Sequence, residues 1–412
     1  MKVLYLGVYR NGTGWGNAAQ SYILALDAAG IEVVPRHINI AGNDGEVPQR
    51  IEELEKRNAQ GCDIVIQHIL PHLMDYNGNF DKCIGLYFTE TSHFKRSNWC
   101  QYLNLMDEVW VANEQQAQAA KDTGVLVPVS VLPIPCDVGK YAQRYKPYPI
   151  PELHKRFTFY TIGELTRRKN LVAMLKAFHL EFHPQEPVAI VIKARIPGES
   201  PMECNKHLHV IIEEVKRELK LYNINEYHQE ILIMQSLTNE EVMRLHTTCD
   251  CFVCPSFGEA WSIPAFDAMA MGKTPICTDV GGMHDFLTTT VQEPVISRDF
   301  NGNPMPGCER YKTAGWLVPG YPTPAFGTSK QTLPYLFTGD EEWIDISISG
   351  LRKAMRQAYE NKELKQEKEA LGIDRAYDFS YEAVGERLRN ALEDQKRLPH
   401  SSPAHDLSYL RK

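Results

Sequence analysis

Apolar residues along this chain fall in short unbroken runs separated by amphipathic stretches, and the alternation occurs twice. In the first 150 residues the runs 2–8 (KVLYLGV), 31–37 (IEVVPRH), 62–68, 82–90, 107–113 and 127–135 read as strands. Helical patterns stand between them at 18–30, 48–60, 98–106 and 114–124, the first closing on Gly30 as a C-terminal cap. Strands this continuously apolar predict a parallel sheet covered by helices on both faces. Residues 135–156 break the rhythm with prolines, tyrosines and charges and read as a linker. The pattern then restarts, with strands at 157–163, 188–194, 230–236, 251–256 and 274–280 and helices at 170–182, 205–220, 238–249 and 264–272. Glycine and proline crowd 291–337, which predicts a long irregular loop or rim of functional kind. Residues 340–371 read as helical, and 374–397 as a further helix packing back on the first domain. The expected fold is α/β, two Rossmann-like parallel-sheet domains facing across a cleft. Their spans are 1–150 and 151–373, followed by a helical tail at 374–412.

Composition narrows the function. The chain has 412 residues, 43% hydrophobic and 23% charged, so it can fill two cores. Its net charge of −8 argues against a broad nucleic-acid surface, though not against a local basic cleft. No run approaches the roughly 20 apolar residues of a membrane span, and the N-terminus reads as a first buried strand rather than a signal peptide. Ten scattered cysteines suit free thiols in a reducing cytoplasm. The cluster CDCFVC (249–254) reads as a buried strand, not a metal site, because no second Cys or His group stands near it.

In such domains ligands bind beyond the carboxyl ends of the strands, and four stretches fall there. NGTGWG (11–16) places Gly12, Gly14 and Gly16 at a helix entrance, where the backbone can approach an anion or simply turn. GELTRRKN (163–170) gathers Arg167, Arg168 and Lys169, with Lys193 ending the next strand; the cations suit a diphosphate or a solvated surface. In FGEAWSIPAFDAMAMGK (257–273), Ser262 and Pro264 read as N-cap and first-turn residues. Glu259 and Asp267 flank them, either as favourable charges near a helix N-terminus or as acceptors for the hydroxyls of a polyol. TDVGGMHDF (278–286) brings Gly281 and Gly282 to another helix entrance, or to a generic turn.

Taken in order, these pieces resemble the retaining glycosyltransferases of the GT-B fold, specifically glycosyltransferase family 4 (glycosyl transferases group 1). The family pattern of a glutamate, seven residues and a second acid is similar to Glu259 and Asp267 within PSFGEAWSIPAFDAMAMGKTPI, although glutamate is usual at the second place. TIGELTRRKNLVAMLKAF, DVGGMHDFL and GWLVPG resemble further segments of the family. The resemblance implies transfer of a sugar, with retention, from a UDP- or GDP-sugar to a hydroxyl acceptor, with no metal required. Arg168 and Lys169, in the loop opened by Gly163 and beside Lys193, would hold the donor diphosphate. Asp267 would take the ribose hydroxyls and Glu259 those of the sugar. Backbone at Trp261, Ser262 and Ile263 and at Gly281 and Gly282 would face the donor, as would Gly14 and Gly16 from the first domain. Where the family often has a first-domain histidine, GLYFTETSHF puts Glu90 at the strand edge and His93 beyond it; one of them would touch sugar or acceptor. Glycan, glycolipid, protein and modified nucleic acid all qualify as acceptor, nucleic acid least because of the acidic balance. A lipid-linked acceptor would bring peripheral membrane contact. The same fold also serves nucleotide-sugar epimerases and non-catalytic nucleotide-sugar-binding proteins. A dinucleotide oxidoreductase is disfavoured by the glycine spacing.

Overall fold

The computed structural model describes residues 1–40, 45–293, 308–328, 333 and 335–393. The first sheet is built from β1 (Lys2–Gly7), β2 (Glu32–His37), β3 (Ile64–His68), β4 (Lys82–Leu86), β5 (Glu108–Val111) and β6 (Val129–Val131). All pairs are parallel, in the order β2-β1-β3-β4-β5-β6. Every residue of β3, β4 and β5 is buried, as both-face coverage requires. The helices are α1 (Gly14–Ala28), α2 (Gln49–Glu55), α3 (Trp99–Leu103) and α4 (Glu114–Thr123). The glycine run expected to be a flexible turn is thus already helix: α1 starts at Gly14 with Thr13 as N-cap.

A connector carrying α5 (Val138–Ala142) leads to the second sheet. Its strands are β7 (Phe157–Glu164), β8 (Val188–Arg195), β9 (Ile231–Ile233), β10 (Cys251–Cys254) and β11 (Ile276–Thr278), and one more from the region expected to be irregular. The intervening helices are α6 (Leu171–Glu181), α7 (Pro201–Leu219), α8 (Asn239–Thr248), α9 (Ile263–Ala270) and α10 (Gly281–Leu287).

That region, 291–337, is the main departure from expectation. β12 (Thr288–Glu293) and β13 (Cys308–Thr313) form an antiparallel pair; the intervening residues lie outside those described. β14 (Trp316–Val318) joins the main sheet beside β11, giving the order β14-β11-β10-β7-β8-β9. β15 (Gly320–Pro324) pairs with β16 (Glu342–Ile346), so 340–371 opens with a strand rather than a helix. Pro322 and Pro324 hid β15 from a composition reading, because proline withholds a ladder donor; it survives in this separate two-stranded sheet. Helix resumes with α11 (Ile348–Glu360) and α12 (Lys362–Tyr377), separated at Asn361, whose Oδ1 accepts from Leu364 N–H at 3.0 Å.

α13 (Tyr381–Glu393) returns to the first domain and packs on α1. The approach is close: a Cβ on Gly385 would sit 2.4 Å from the Ala25 carbonyl oxygen. The chain running into α13 also meets the connector, where Cys136 N–H donates to the Phe379 carbonyl at 2.7 Å. Trp261, Phe266 and Phe286 of the second domain form a buried aromatic cluster with Phe379 of the tail, ring centroids 5.3–5.9 Å apart. Among the described residues no helix is long and apolar enough to cross a membrane.

Both strand orders place a reversal of direction, between β1 and β3 in one sheet and between β7 and β10 in the other. Crevices form at such points because consecutive connections leave in opposite directions. Gly385→Ala should cost about 1–3 kcal/mol through overpacking. Its check is a lowered thermal unfolding midpoint; an unchanged midpoint would mean that α13 is not seated against α1 as described.

Candidate functional site

The loops after β7 and β10 meet at the second crevice and bring opposite charges into contact. Arg168 Nη1 donates to the Gly258 carbonyl at 2.7 Å and lies 3.0 Å from Glu259 Oε2. Lys169 Nζ lies 2.6 Å from Glu259 Oε1. From the first domain, Glu90 Oε1 reaches Arg168 Nη2 at 3.3 Å. Two carboxylates and two cations thus make a neutral tetrad bridging the cleft. Burial pushes the Glu259 carboxyl upward, yet Arg168 and Lys169 outweigh it and hold the pKa down at about 2. The Arg168 guanidinium is opposed by its own burial, and Glu259 followed by Glu90 raises it above its ordinary value.

Backbone geometry fixes Glu259. Gly281 has φ +56, a conformation costly for other residues, and a Cβ there would lie 2.2 Å from the Glu259 carbonyl oxygen. Gly282 N–H donates to that same carbonyl at 3.3 Å. Neither glycine lines the cavity beside the tetrad. Both glycines seat the loop carrying Glu259 from behind. Gly16 is also a packing residue, since a Cβ on it would fall 2.2 Å from Asn11 backbone and side-chain oxygens. Ser262 stands at the head of α9 with φ +67, yet its side chain accepts no capping hydrogen bond, contrary to expectation. Its Oγ instead lies 3.4 Å from Cys254 Sγ.

The cavity holds about 610 Å³. It is lined by Gly14 and Glu90 from the first domain and by Gly163, Arg168, Lys169 and Lys193 from the second. Glu259, Trp261, Ser262 and Ile263 complete the predicted residues that it gathers. His93 is not among the lining residues; its Nδ1 accepts from Lys95 N–H at 3.4 Å. Lys193 is buried and, among the described residues, has no hydrogen-bonding or ionic partner. Burial first, and nearby Arg195 second, lower its pKa. Arg195 itself is paired with Glu164 at 3.1 Å, which leaves Lys193 as the uncompensated cation of the cavity.

Asp267 is buried but lines an adjoining cavity of about 1130 Å³, which shares Gly14, Ile162, Trp261, Ile263 and Pro264 with the first. Its Oδ1 is held by Lys140 Nζ at 2.9 Å and by the Tyr141 hydroxyl at 2.5 Å, both from the connector. Sequence reading missed that pair, since connector residues carry no pattern announcing a partner about 126 positions away. Trp15 and Phe88, ring centroids 5.0 Å apart, also line the tetrad cavity and were missed, although Trp15 lies inside the quoted NGTGWG. Among the described residues no group of three or more His, Cys, Asp or Glu side chains is arranged to hold a metal ion.

Residues 148–298 match the family model described as glycosyl transferases group 1. The span contains the tetrad's second-domain members and most of the second sheet. With that domain the chain is an enzyme of the glycosyltransferase class. No protein of curated function matches the sequence. Among solved structures, sucrose-phosphate synthase from Thermosynechococcus elongatus is similar at 14% identity and TM-score 0.57, over 96% of this chain and 98% of that one. Alr3699/HepE from Anabaena, in complex with UDP-glucose, is similar at 13% identity and TM-score 0.59, over 96% and 100%. Trehalose-6-phosphate from E. coli bound with UDP-2-fluoro glucose is similar at 12% identity and TM-score 0.61, over 95% and 99%. These likenesses establish the shared fold, two Rossmann-like domains facing across a cleft, which is the GT-B arrangement.

Glu259 supports a pH test. Its folded pKa of about 2 lies below that of an unfolded glutamate, about 4.3. Its stabilisation is therefore full above the unfolded value and lost as pH falls through the folded one. Glu259→Gln should cost about 3–5 kcal/mol at neutral pH by leaving buried cations unbalanced. The difference in unfolding midpoint from wild type should shrink as pH falls from about 4.3 towards 2; a difference constant over that window would contradict an ionised Glu259.

Proposed function

We propose that the protein moves a sugar, with retention, from a nucleotide-sugar donor to a hydroxyl acceptor. The observation that carries this reading is the set of cations at the switch point of the second sheet, with Lys193 uncompensated and Glu259 ionised beside them. A donor diphosphate would lie on Arg168, Lys169 and Lys193, where guanidinium and ammonium donors suit its oxygens and favour its departure. Glu259, its carboxylate fixed by the two cations, would receive hydroxyls of the transferred sugar. The ribose belongs beside Asp267, in the adjoining cavity that opens past Gly14 and the 261–264 turn. There its hydroxyls would exchange with the Tyr141 and Lys140 contacts.

On this reading residues 1–150 form the acceptor side and 151–373 the donor side, with a tail at 374–412 whose last described helix packs on the first domain; 394–412 lie outside the described residues. Retention follows if the acceptor attacks from the face that the diphosphate leaves. The acceptor oxygen bonds to the sugar carbon, the carbon–phosphate oxygen bond breaks, and the acceptor proton passes to the leaving phosphate. One structural neighbour is described with UDP-glucose, which makes UDP-sugars the first donors to try.

UDP-, GDP- and ADP-sugars should be compared by thermal stabilisation of the intact protein, and at least one should raise the midpoint. Arg168→Ala should abolish that shift and lower transfer by on the order of a hundredfold or more. Stabilisation by none of them would overturn the reading. Release of nucleoside diphosphate only when an acceptor is present separates transfer from epimerisation.

A further inference from the structure

The two walls of the tetrad cavity are chemically unlike. The second domain supplies four cations, Arg168, Lys169, Lys193 and Arg195, against two carboxylates, Glu164 and Glu259; of the described first-domain residues lining the cavity, Glu90 alone is ionisable. Around it stand Trp15, Phe88, Trp99 and Leu70. The Glu90 backbone is clamped: its carbonyl oxygen lies so close to Gly258 that a Cβ there would approach within 2.3 Å. Next to it, Thr89 O accepts from Gln116 Nε2 at 2.9 Å, and Ser92 N–H donates to Glu342 O at 3.1 Å. The side chain is less constrained. About a quarter of it is exposed, and among the described residues Arg168 is its one partner.

Arg168 is already matched by Glu259 and Glu90. A diphosphate arriving on Arg168 brings at least two negative charges against Glu90, a few ångströms away, and like charges repel strongly where water is scarce. Glu259 cannot yield first, being more buried and held by two cations. Glu90 has a single contact to lose.

We propose that the donor diphosphate displaces Glu90 from Arg168, and that the freed carboxylate then receives a hydroxyl of a neutral acceptor lying on the Trp15–Phe88 wall. This rests on the donor reading above. The acceptor site is thereby completed by donor binding, which makes addition ordered. Glu90 accepts the hydroxyl hydrogen bond and aims the oxygen at the sugar carbon. The proton still ends on the leaving phosphate, so Glu90 begins and ends as a carboxylate. Among the described residues this wall offers no cation to a phosphorylated or carboxylated acceptor, and the Glu90 charge repels one; its aromatic rings suit the apolar face of an uncharged sugar or aglycone.

The test uses the full chain. Calorimetric titration with UDP, GDP and ADP is run on wild type and on Glu90→Gln, which keeps shape and removes charge. Glu90→Gln should bind the preferred nucleoside diphosphate about fivefold more tightly, the size expected for releasing a partly exposed ion pair. Transfer to neutral glycosides should fall by on the order of a hundredfold as the hydroxyl loses its aim, and Glu90→Asp, which retains the charge, should recover part of it. Equal or weaker nucleotide binding by Glu90→Gln, against a wild type that binds, overturns the competition. A panel of neutral glycosides and their phosphorylated counterparts checks the acceptor class: preference for the phosphorylated members, or no turnover with any neutral one, overturns it. A wild type that binds none of the three nucleotides overturns the donor reading itself, and this proposal with it.

Discussion

A carboxylate held between two cations inside a cleft constrains everything around it. Glu259 is 6% exposed, and an ion removed from water persists only when its partners come close and stay aligned. Arg168 and Lys169 provide that from the loop after β7, Glu259 from the loop after β10, and the two loops adjoin because β7 and β10 are neighbours in the sheet. The close packing at Gly258, Gly281 and Gly282 follows from the same need: each lets backbone approach to a distance that a side chain would forbid. Burial, charge pairing and glycine placement therefore express one condition, a fixed anion at the switch point.

The relation between the domains depends on a second set of contacts. Asn113 Nδ2 donates to the Ala260 carbonyl at 2.6 Å and Glu114 N–H to Asp285 at 3.0 Å, so the start of α4 is tied to the segment beside Glu259. On the other side, Lys140 and Tyr141 link the connector to Asp267. Arg244 of α8 donates to the Lys146 carbonyl at 3.1 Å. The connector is thus strapped to the second domain along its length rather than hanging free, and α13 closes the circuit on α1. A cleft framed this way holds its two walls in register while leaving side chains such as Glu90 able to turn.

Much of this was legible in the sequence, for reasons that differ by element. Strands such as Ile64–His68 announce themselves because a strand buried on both faces must be continuously apolar. Arg168, Lys169 and Glu259 were found because each follows a recognisable strand, and strand ends locate the crevice. Gly281, Gly282 and Gly16 are harder to read: a glycine at a helix entrance looks the same whether its open side meets a ligand or another backbone. Only the position of the Glu259 and Asn11 oxygens decides. The span 291–337 was misjudged because glycine and proline density reports the absence of helix, not the absence of strand. The Lys140–Tyr141–Asp267 contact joins residues far apart in the chain, and neither side carries a local pattern that names the other.

The asymmetry between the walls decides what chemistry the cleft can support. Cations concentrate at the ends of β7 and β8, where sheet geometry brings successive loops together, so charge can be stabilised on that side alone. The opposite wall is aromatic: Trp15 lies against His68 and Phe88 with centroids 5.1 and 5.0 Å away. His68 is fully buried, and burial alone depresses its pKa to about 3, so at neutral pH it adds no charge there. A molecule spanning the cleft would therefore meet an excess of positive charge at one end and uncharged ring faces at the other, where Glu90 is the one ionisable residue among the described first-domain lining. Such a gradient favours reactions that develop negative charge on the second-domain side, as departure of a phosphate does, and gives no comparable help to charge developing on the first.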